Sequence, residues 1–215
     1  REEVQAQRII REYLLLSSTG INRSAQYMLR NASNNSKIQH SNSGLVSEKG
    51  EWYPKPSWYY VYTLKNTLAG MYYIGEQASM NPNVLIYKYE NTTHDTLVYA
   101  LWSPTSNETY IADYQLSLLN GTKSAKLVGL TNGSIEGTIS DLKISRNTVK
   151  VNVSERPIFV VTTTNNGVSS AKFETKRSIL LYPSFTNDKV VIETSDLSSI
   201  GNMRIQIINQ TGEIV

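Results

Sequence analysis

The sequence predicts a mainly β protein with a short α/β piece at its N-terminal end. Three observations predict it. Two stretches before residue 70 carry apolar residues at helical spacing and flank one strand-like run. Between about Val84 and Thr164, short apolar segments recur, divided by turn residues such as Asn120-Gly121 and Asn132-Gly133. A polar stretch containing Asn165-Asn166-Gly167 then separates a last β-like unit that starts at Ile179. The expected divisions are 1–75, 80–164, a linker over 165–177, and 178–215.

Arg1 to Ser18 reads as a helix, with Val4, Ile9, Ile10, Tyr13, Leu14 and Leu16 as its apolar stripe. Gly20 is its expected left-handed cap. Ile21 to Arg30 is expected to be a strand, with Ala25, Tyr27 and Leu29 on one face. Asn31 to Glu51 reads as a long polar loop, a length that usually marks function or disorder. Ser57 to Leu68 is the second expected helix, with Ser57 as N-cap and Tyr60, Val61, Leu64 and Leu68 spaced for burial. Strands are then expected over 84–90, 96–102, 110–118, 124–130, 135–144, around Val149, Val151 and Val153, and over 157–162. This spacing indicates an antiparallel β-sandwich or barrel. Ile179 to Tyr182, Val190 to Glu193 and Met203 to Ile208 are the strands of the last unit.

The formal net charge of +3, with basic residues scattered, is too mild to argue for nucleic acid. No apolar run approaches the roughly 18 residues of a membrane span. The chain has no cysteine, which excludes disulfides, zinc-thiolate sites and cysteine nucleophiles. Its two histidines, His40 and His94, are far apart, so any metal site would need oxygen ligands, and Asp113, Asp141 and Glu155 do not cluster in sequence. Gly129 to Gly137 lacks the ending of a phosphate loop. Neither a metal nor a cofactor is expected. The chain opens without an initiating Met directly into a helix and closes in a strand-like run, so it is expected to be the back part of a larger secreted protein.

A lone strand between two helices cannot bury both of its faces, and the order fits the last helix–strand–helix of a (β/α)₈ barrel. The residues carry a resemblance to retaining glycoside hydrolases of the large barrel clan. Glu3 to Leu14 resembles the helix after their strand seven. Tyr27-Met28-Leu29-Arg30-Asn31 looks like the end of strand eight, and Lys55-Pro56-Ser57-Trp58-Tyr59-Tyr60-Val61 resembles the approach to their final helix. Tyr99 to Pro104 and Val151 to Val160 look like the β-sandwich appended to many of these enzymes. The last unit is similar to the C-terminal sorting domain of the type IX secretion system of Bacteroidetes. There Ser184-Phe185 replaces the family's Asn-Pro, while Ile205 to Val215 fits well. The family's final strands are missing, so the sorting domain is expected to be partial.

The resemblance implies a secreted or cell-surface protein exported through a Gram-negative outer membrane. Its partners would be a carbohydrate substrate and the type IX machinery. Hydrolysis in the family uses two carboxylates at the ends of strands four and seven. Both positions precede Arg1, so no catalytic residue is carried onto this chain. Glu2, Glu3 and Glu12 read as helix carboxylates. Barrel sites lie at the C-terminal ends of strands and in the loops beyond, which selects Tyr27, Arg30 and Asn31 as substrate-binding residues, with the loop through His40 and Trp52 beside them. The barrel piece is expected to lack burial partners by itself. A competing reading is a non-catalytic carbohydrate-binding or adhesive β-protein, with Tyr87, Tyr89, Tyr99, Trp102, Tyr110 and Tyr114 as an exposed aromatic row.

Overall fold

A computed structural model describes residues 1–21, 24–33, 41–164, 179–182 and 191–194. The chain forms two compact units, Arg1–Gly167 and Val168–Val215. The described residues are mainly β. All of their strand pairings are antiparallel apart from one isolated parallel bridge between Arg30 and Val46. No described helix is long and apolar enough to cross a membrane.

The first unit starts with helix α1, Glu2–Ser18, which buries Ala6, Ile9, Ile10 and Leu14. These positions recur every three or four residues, so one stripe faces inward. Gly20, at φ +79°, takes the left-handed conformation expected beyond the helix end. Helix α2 runs Pro56–Thr67. Its N-cap is Lys55 in extended conformation, not Ser57 as expected. Pro56 favours the first helical position because its φ is preset and its missing N–H has no helical use there. Ser57 therefore falls inside the first turn. It is fully buried, and its Oγ has no hydrogen-bond partner among the described residues.

Eight strands follow: β1 Met71–Glu76, β2 Leu85–Asn91, β3 Thr96–Trp102, β4 Tyr110–Ser117, β5 Thr122–Gly129, β6 Thr138–Asp141, β7 Thr148–Ser154 and β8 Ile158–Thr164. Six of them form one sheet in the order β1-β2-β3-β8-β5-β6, and β4 pairs with β7. The large sheet has a core on each face. Leu97, Tyr99 and Leu101 of β3 join Ile86, Val160, Leu116, Val149, Val151 and Val153 between the two sheets. Val98, Ala100 and Trp102, the alternate residues of β3, join Tyr87, Tyr89 and Phe159 against Ala6, Ile10 and Leu14 of α1 and Tyr60 and Leu64 of α2. The unit thus has three layers: a helix pair, a six-stranded sheet and a two-stranded sheet.

The apolar stripe of α1, expected to lack partners, is buried against this sheet. Tyr89, Tyr73, Tyr87 and Trp102 meet edge to face in sequence, at 5.6, 5.3 and 4.9 Å between ring centroids. Such pairs add about 0.5–1.5 kcal/mol each beyond area burial. Ser17 at the end of α1 bonds the Tyr89 hydroxyl at 2.7 Å.

Two expected strands change. Of the expected strand 21–30, the described residues 24–30 do not form one: Arg30 makes the single bridge, and Tyr27 and Leu29 are exposed. Alternation alone does not make a strand, because backbone groups need a laddered neighbour, and the described residues give this run one only at its end. The run 135–144 shortens to β6, which lies at the sheet edge, with Leu142 leaving to bond Ala125 O at 2.8 Å. β1 is a strand the sequence reading lacked. In the second unit, β9 Ile179–Tyr182 pairs antiparallel with β10 Val191–Thr194. The expected linker beyond residue 164, Ser184-Phe185 and the run 203–215 lie outside the described residues.

Trp102 is 1% exposed. Trp102→Ala is expected to lower stability by about 3–5 kcal/mol, because the surrounding rings cannot close the cavity; urea unfolding followed by fluorescence measures it. Burial pushes the Tyr89 hydroxyl up to about 12, with the Ser17 bond pulling the other way and Tyr73 and Tyr87 adding to the rise. An unfolded tyrosine titrates near 10, so above that pH the unfolded chain binds fewer protons than the folded one. Stability is expected to be insensitive to Tyr89 below about pH 10 and to fall between about pH 10 and 12. Unfolding midpoints across that range should fall less steeply in Tyr89→Phe.

Candidate functional site

The segment between α1 and α2 carries the expected site residues. Its backbone makes three short passes side by side. Val46 N–H donates to Leu29 O at 3.0 Å, and Asn31 N–H donates to Val46 O at 3.0 Å. On the other side, Lys55 N–H donates to Leu45 O at 3.0 Å, and Ser47 N–H donates to Tyr53 O at 2.9 Å. The expected loop 31–51 is therefore partly folded, with buried Val46 in the middle pass. Gly44 makes the approach possible. A β-carbon there would lie 2.2 Å from both the carbonyl carbon of Arg30 and the nitrogen of Asn31, so no side chain fits without moving backbone.

Beneath the passes lies a buried lysine. Lys55 is 5% exposed. Its Nζ donates to Asn42 O at 2.8 Å, Gln5 Oε1 at 3.0 Å and Asn31 Oδ1 at 3.5 Å, and pairs with Glu2 Oε1 at 3.6 Å. Asn31 is buried too, and its Oδ1 also accepts from Gly44 N–H at 3.0 Å. One ammonium thus ties α1, all three passes and the start of α2 together. Removing it would take this donor from Gln5 Oε1 and Asn42 O, while Asn31 Oδ1 would keep the Gly44 N–H.

The three expected site residues are placed differently. Tyr27 is 74% exposed, and the Tyr27–Met28 peptide is cis. Arg30 is half-buried, and its Nη1 donates to Asn31 O at 3.1 Å. Asn31 points into the lysine cluster. Trp52, at φ +59°, and Tyr53 stand exposed at the turn that leads into the third pass. Tyr27, Trp52 and Tyr53 are therefore aromatic faces presented by a hydrogen-bonded scaffold. His40 lies outside the described residues. His94 stands in the turn after β2, its Nδ1 2.6 Å from Glu90 Oε2.

Two of the helix carboxylates, Glu2 and Glu3, have structural partners. Glu3 accepts from the Tyr60 hydroxyl and pairs with Arg156 Nε at 3.4 Å. Burial and then that hydrogen bond raise the Tyr60 hydroxyl well above its ordinary value. Burial opposes ionisation of Glu155, but hydrogen bonds from Thr105 and the N–H groups of residues 107–109 outweigh it and hold the carboxyl low. Among the described residues no three His, Asp or Glu side chains gather to hold a metal. Of the six aromatics in the competing row, Tyr87, Tyr89, Tyr99 and Trp102 are buried in the two cores, and only Tyr110 is largely exposed.

Gly44→Ala is expected to destabilise the unit by about 1–3 kcal/mol through overpacking. Lys55→Ala is expected to cost a similar amount by leaving buried acceptors unmet. Urea titrations measure both, and a Gly44→Ala variant as stable as the parent would contradict the close approach.

No family model matches the chain, and no curated protein matches it. Its fold is similar to two solved structures. One is a family 39 glycoside hydrolase from the gut symbiont Bacteroides cellulosilyticus WH2, at 17% identity and a TM-score of 0.54 over 74% of this chain and 30% of that one. The other is a glycoside hydrolase family 30 subfamily 8 xylanase from Clostridium acetobutylicum, at 10% identity and a TM-score of 0.56 over 76% of this chain and 40% of that one. The chain therefore spans less than half the length of either protein, and what it shares with them is a glycoside hydrolase-related fold.

Proposed function

We propose that the chain is the C-terminal part of a secreted glycoside hydrolase that cuts a polysaccharide or oligosaccharide by a retaining, two-carboxylate mechanism. On this reading residues 1–75 complete a (β/α)₈ barrel, 80–164 are the appended β-sandwich, 165–177 are a linker and 178–215 are a partial type IX sorting domain. The observation that carries it is the fold likeness, over about three quarters of the chain, to hydrolases of two different families. The sorting reading rests on the motif similarity of residues 179–215.

In this proposal the catalytic pair, a nucleophile and an acid/base about 5–5.5 Å apart, belongs to residues outside Arg1–Val215. The chain supplies one wall of the sugar site. Tyr27 offers a flat face to sugar C–H surfaces, and Arg30 and the passes around it hold that face in place. Asn31 acts through Lys55 and Gly44 as a positioning residue. The exposed Tyr27 and Leu29 lie on the run that would meet neighbouring barrel strands and the cleft.

The test is the sequence and intact mass of the native protein, followed by its hydrolysis of xylan and glucan oligosaccharides. A longer protein with paired carboxylates and glycosidase activity is expected. In it, Tyr27→Ala should lower kcat/KM roughly tenfold or more by loosening substrate positioning, with urea stability nearly unchanged because the ring is exposed. A native protein that starts at Arg1, or one that cleaves no glycoside, would overturn the proposal.

A further inference from the structure

A second surface lies on the outer face of the β4–β7 pair. β4 and β7 turn their apolar residues toward the large sheet, so alternate residues face outward. Gln115 and Lys150 are direct cross-strand partners on that outer face, as are Ser117 and Thr148. The chain enters β7 through a two-residue hairpin: Ser145 and Thr148 exchange both backbone hydrogen bonds at 2.9 Å, with Arg146 and Asn147 at the tip. Asn147 O accepts from Leu118 N–H at 2.8 Å, and Asn147 Nδ2 donates to Asn120 Oδ1 at 2.8 Å. The tip is therefore fixed against the end of β4.

This corner encloses a groove of about 660 Å³ lined by Gln115, Lys143, Ser145, Arg146, Thr148 and Lys150. Three of the six carry positive charge and none carries negative charge. Among the described residues no ion pair involves Lys143, Arg146 or Lys150. The flanking carboxylates in sequence are Asp141, which forms no ion pair among the described residues, and Glu155, which accepts from Thr105 and the Glu108 N–H. Arg146 sits at φ +48°, and Asn147 at φ +59°. That is the conformation of a type I′ hairpin, which glycine or asparagine adopts more readily than arginine. The fold therefore holds an arginine where its backbone is disfavoured, at the rim of a cationic groove.

We propose that this groove binds an acidic glycan, one carrying carboxylate or sulfate groups. The inference rests on the carbohydrate reading given above. The cations meet the acidic groups, and the Gln115 amide with the Ser145 and Thr148 hydroxyls meets sugar hydroxyls. No aromatic ring lines the groove. That removes the stacking on which neutral sugars and single-stranded nucleic acids both depend, so charge leads recognition and salt weakens it. The low net charge of +3 also argues against a nucleic-acid partner.

The experiment is calorimetry on the full chain with four probes at low and moderate salt: an oligogalacturonide, a sulfated oligosaccharide of similar length, a neutral xylo-oligosaccharide and a single-stranded oligonucleotide. At least one acidic sugar should bind, roughly tenfold more weakly at the higher salt. The difference between the first two probes tells carboxylate from sulfate. The triple variant Lys143→Gln/Arg146→Asn/Lys150→Gln should weaken that binding by at least about tenfold. Arg146→Asn alone should weaken it while leaving the unfolding midpoint equal or higher, because asparagine suits the tip, so misfolding cannot mimic the result. Failure of both acidic sugars to bind, unchanged binding in the triple variant, or an equal or tighter oligonucleotide overturns the inference. The hydrolase proposal stands or falls separately, on the native protein's activity toward neutral glycans.

Discussion

The first unit depends on a sheet that must be covered on both faces. β3 states this constraint most plainly, since six of its seven residues are buried, and alternate ones belong to opposite cores. A strand of that kind cannot lie at a protein surface, because each large side chain left in water would forfeit about 1.5–3 kcal/mol. Two different covers meet the need. The β4–β7 pair closes one face with Leu116, Val149, Val151 and Val153, and α1 with α2 closes the other. The helices are therefore part of the same cooperative core as the strands. The aromatic series from Tyr89 to Trp102 is where they join, locked at one end by Ser17.

The same coupling explains how an irregular segment can hold a defined shape. The passes around residues 28–31, 44–47 and 53–55 have too few ladder bonds to stand as a sheet. They are fixed from below by Lys55, whose three hydrogen bonds and ion pair reach Gln5 and Glu2 on α1. A buried ammonium is expensive unless paired and bonded, so this one specifies a single arrangement of its neighbours. α2 starts without a side-chain cap because a lysine ammonium has no acceptor for the first-turn N–H groups, and Pro56 at the first position leaves one fewer of them to satisfy.

Much of this was legible in the sequence. The Val149, Val151, Val153 alternation follows directly from burial on one face, which imposes a period of two, and Thr96–Trp102 from a short apolar run closed by Ser103-Pro104, the pattern of burial on both faces. α1 follows equally well from its stripe and from Gly20. β1 was hidden because Met71, Tyr72, Tyr73 and Ile74 are apolar on both faces, so the alternation of exposure along it leaves no trace in residue type. The run 21–30 misled for the opposite reason, since its composition suits a strand but a strand needs partners that local pattern does not report. At the site, the place of Tyr27 on the connection between the helices was readable from the chain. The inward turn of Asn31 was not, for it depends on Gly44 and Lys55, residues remote in sequence that only the fold brings to it.

Layering also separates the two surfaces argued for here. Tyr27, Trp52 and Tyr53 belong to the connection between the helices, whereas Lys143, Arg146 and Lys150 lie on the outer face of the β4–β7 pair. The six-stranded sheet stands between them. Covers that share one continuous sheet also cannot shift independently, so the spacing is fixed by the packing of β3. The cationic groove and the exposed aromatic faces are thus carried on one frame, each held by a different cover of the same sheet.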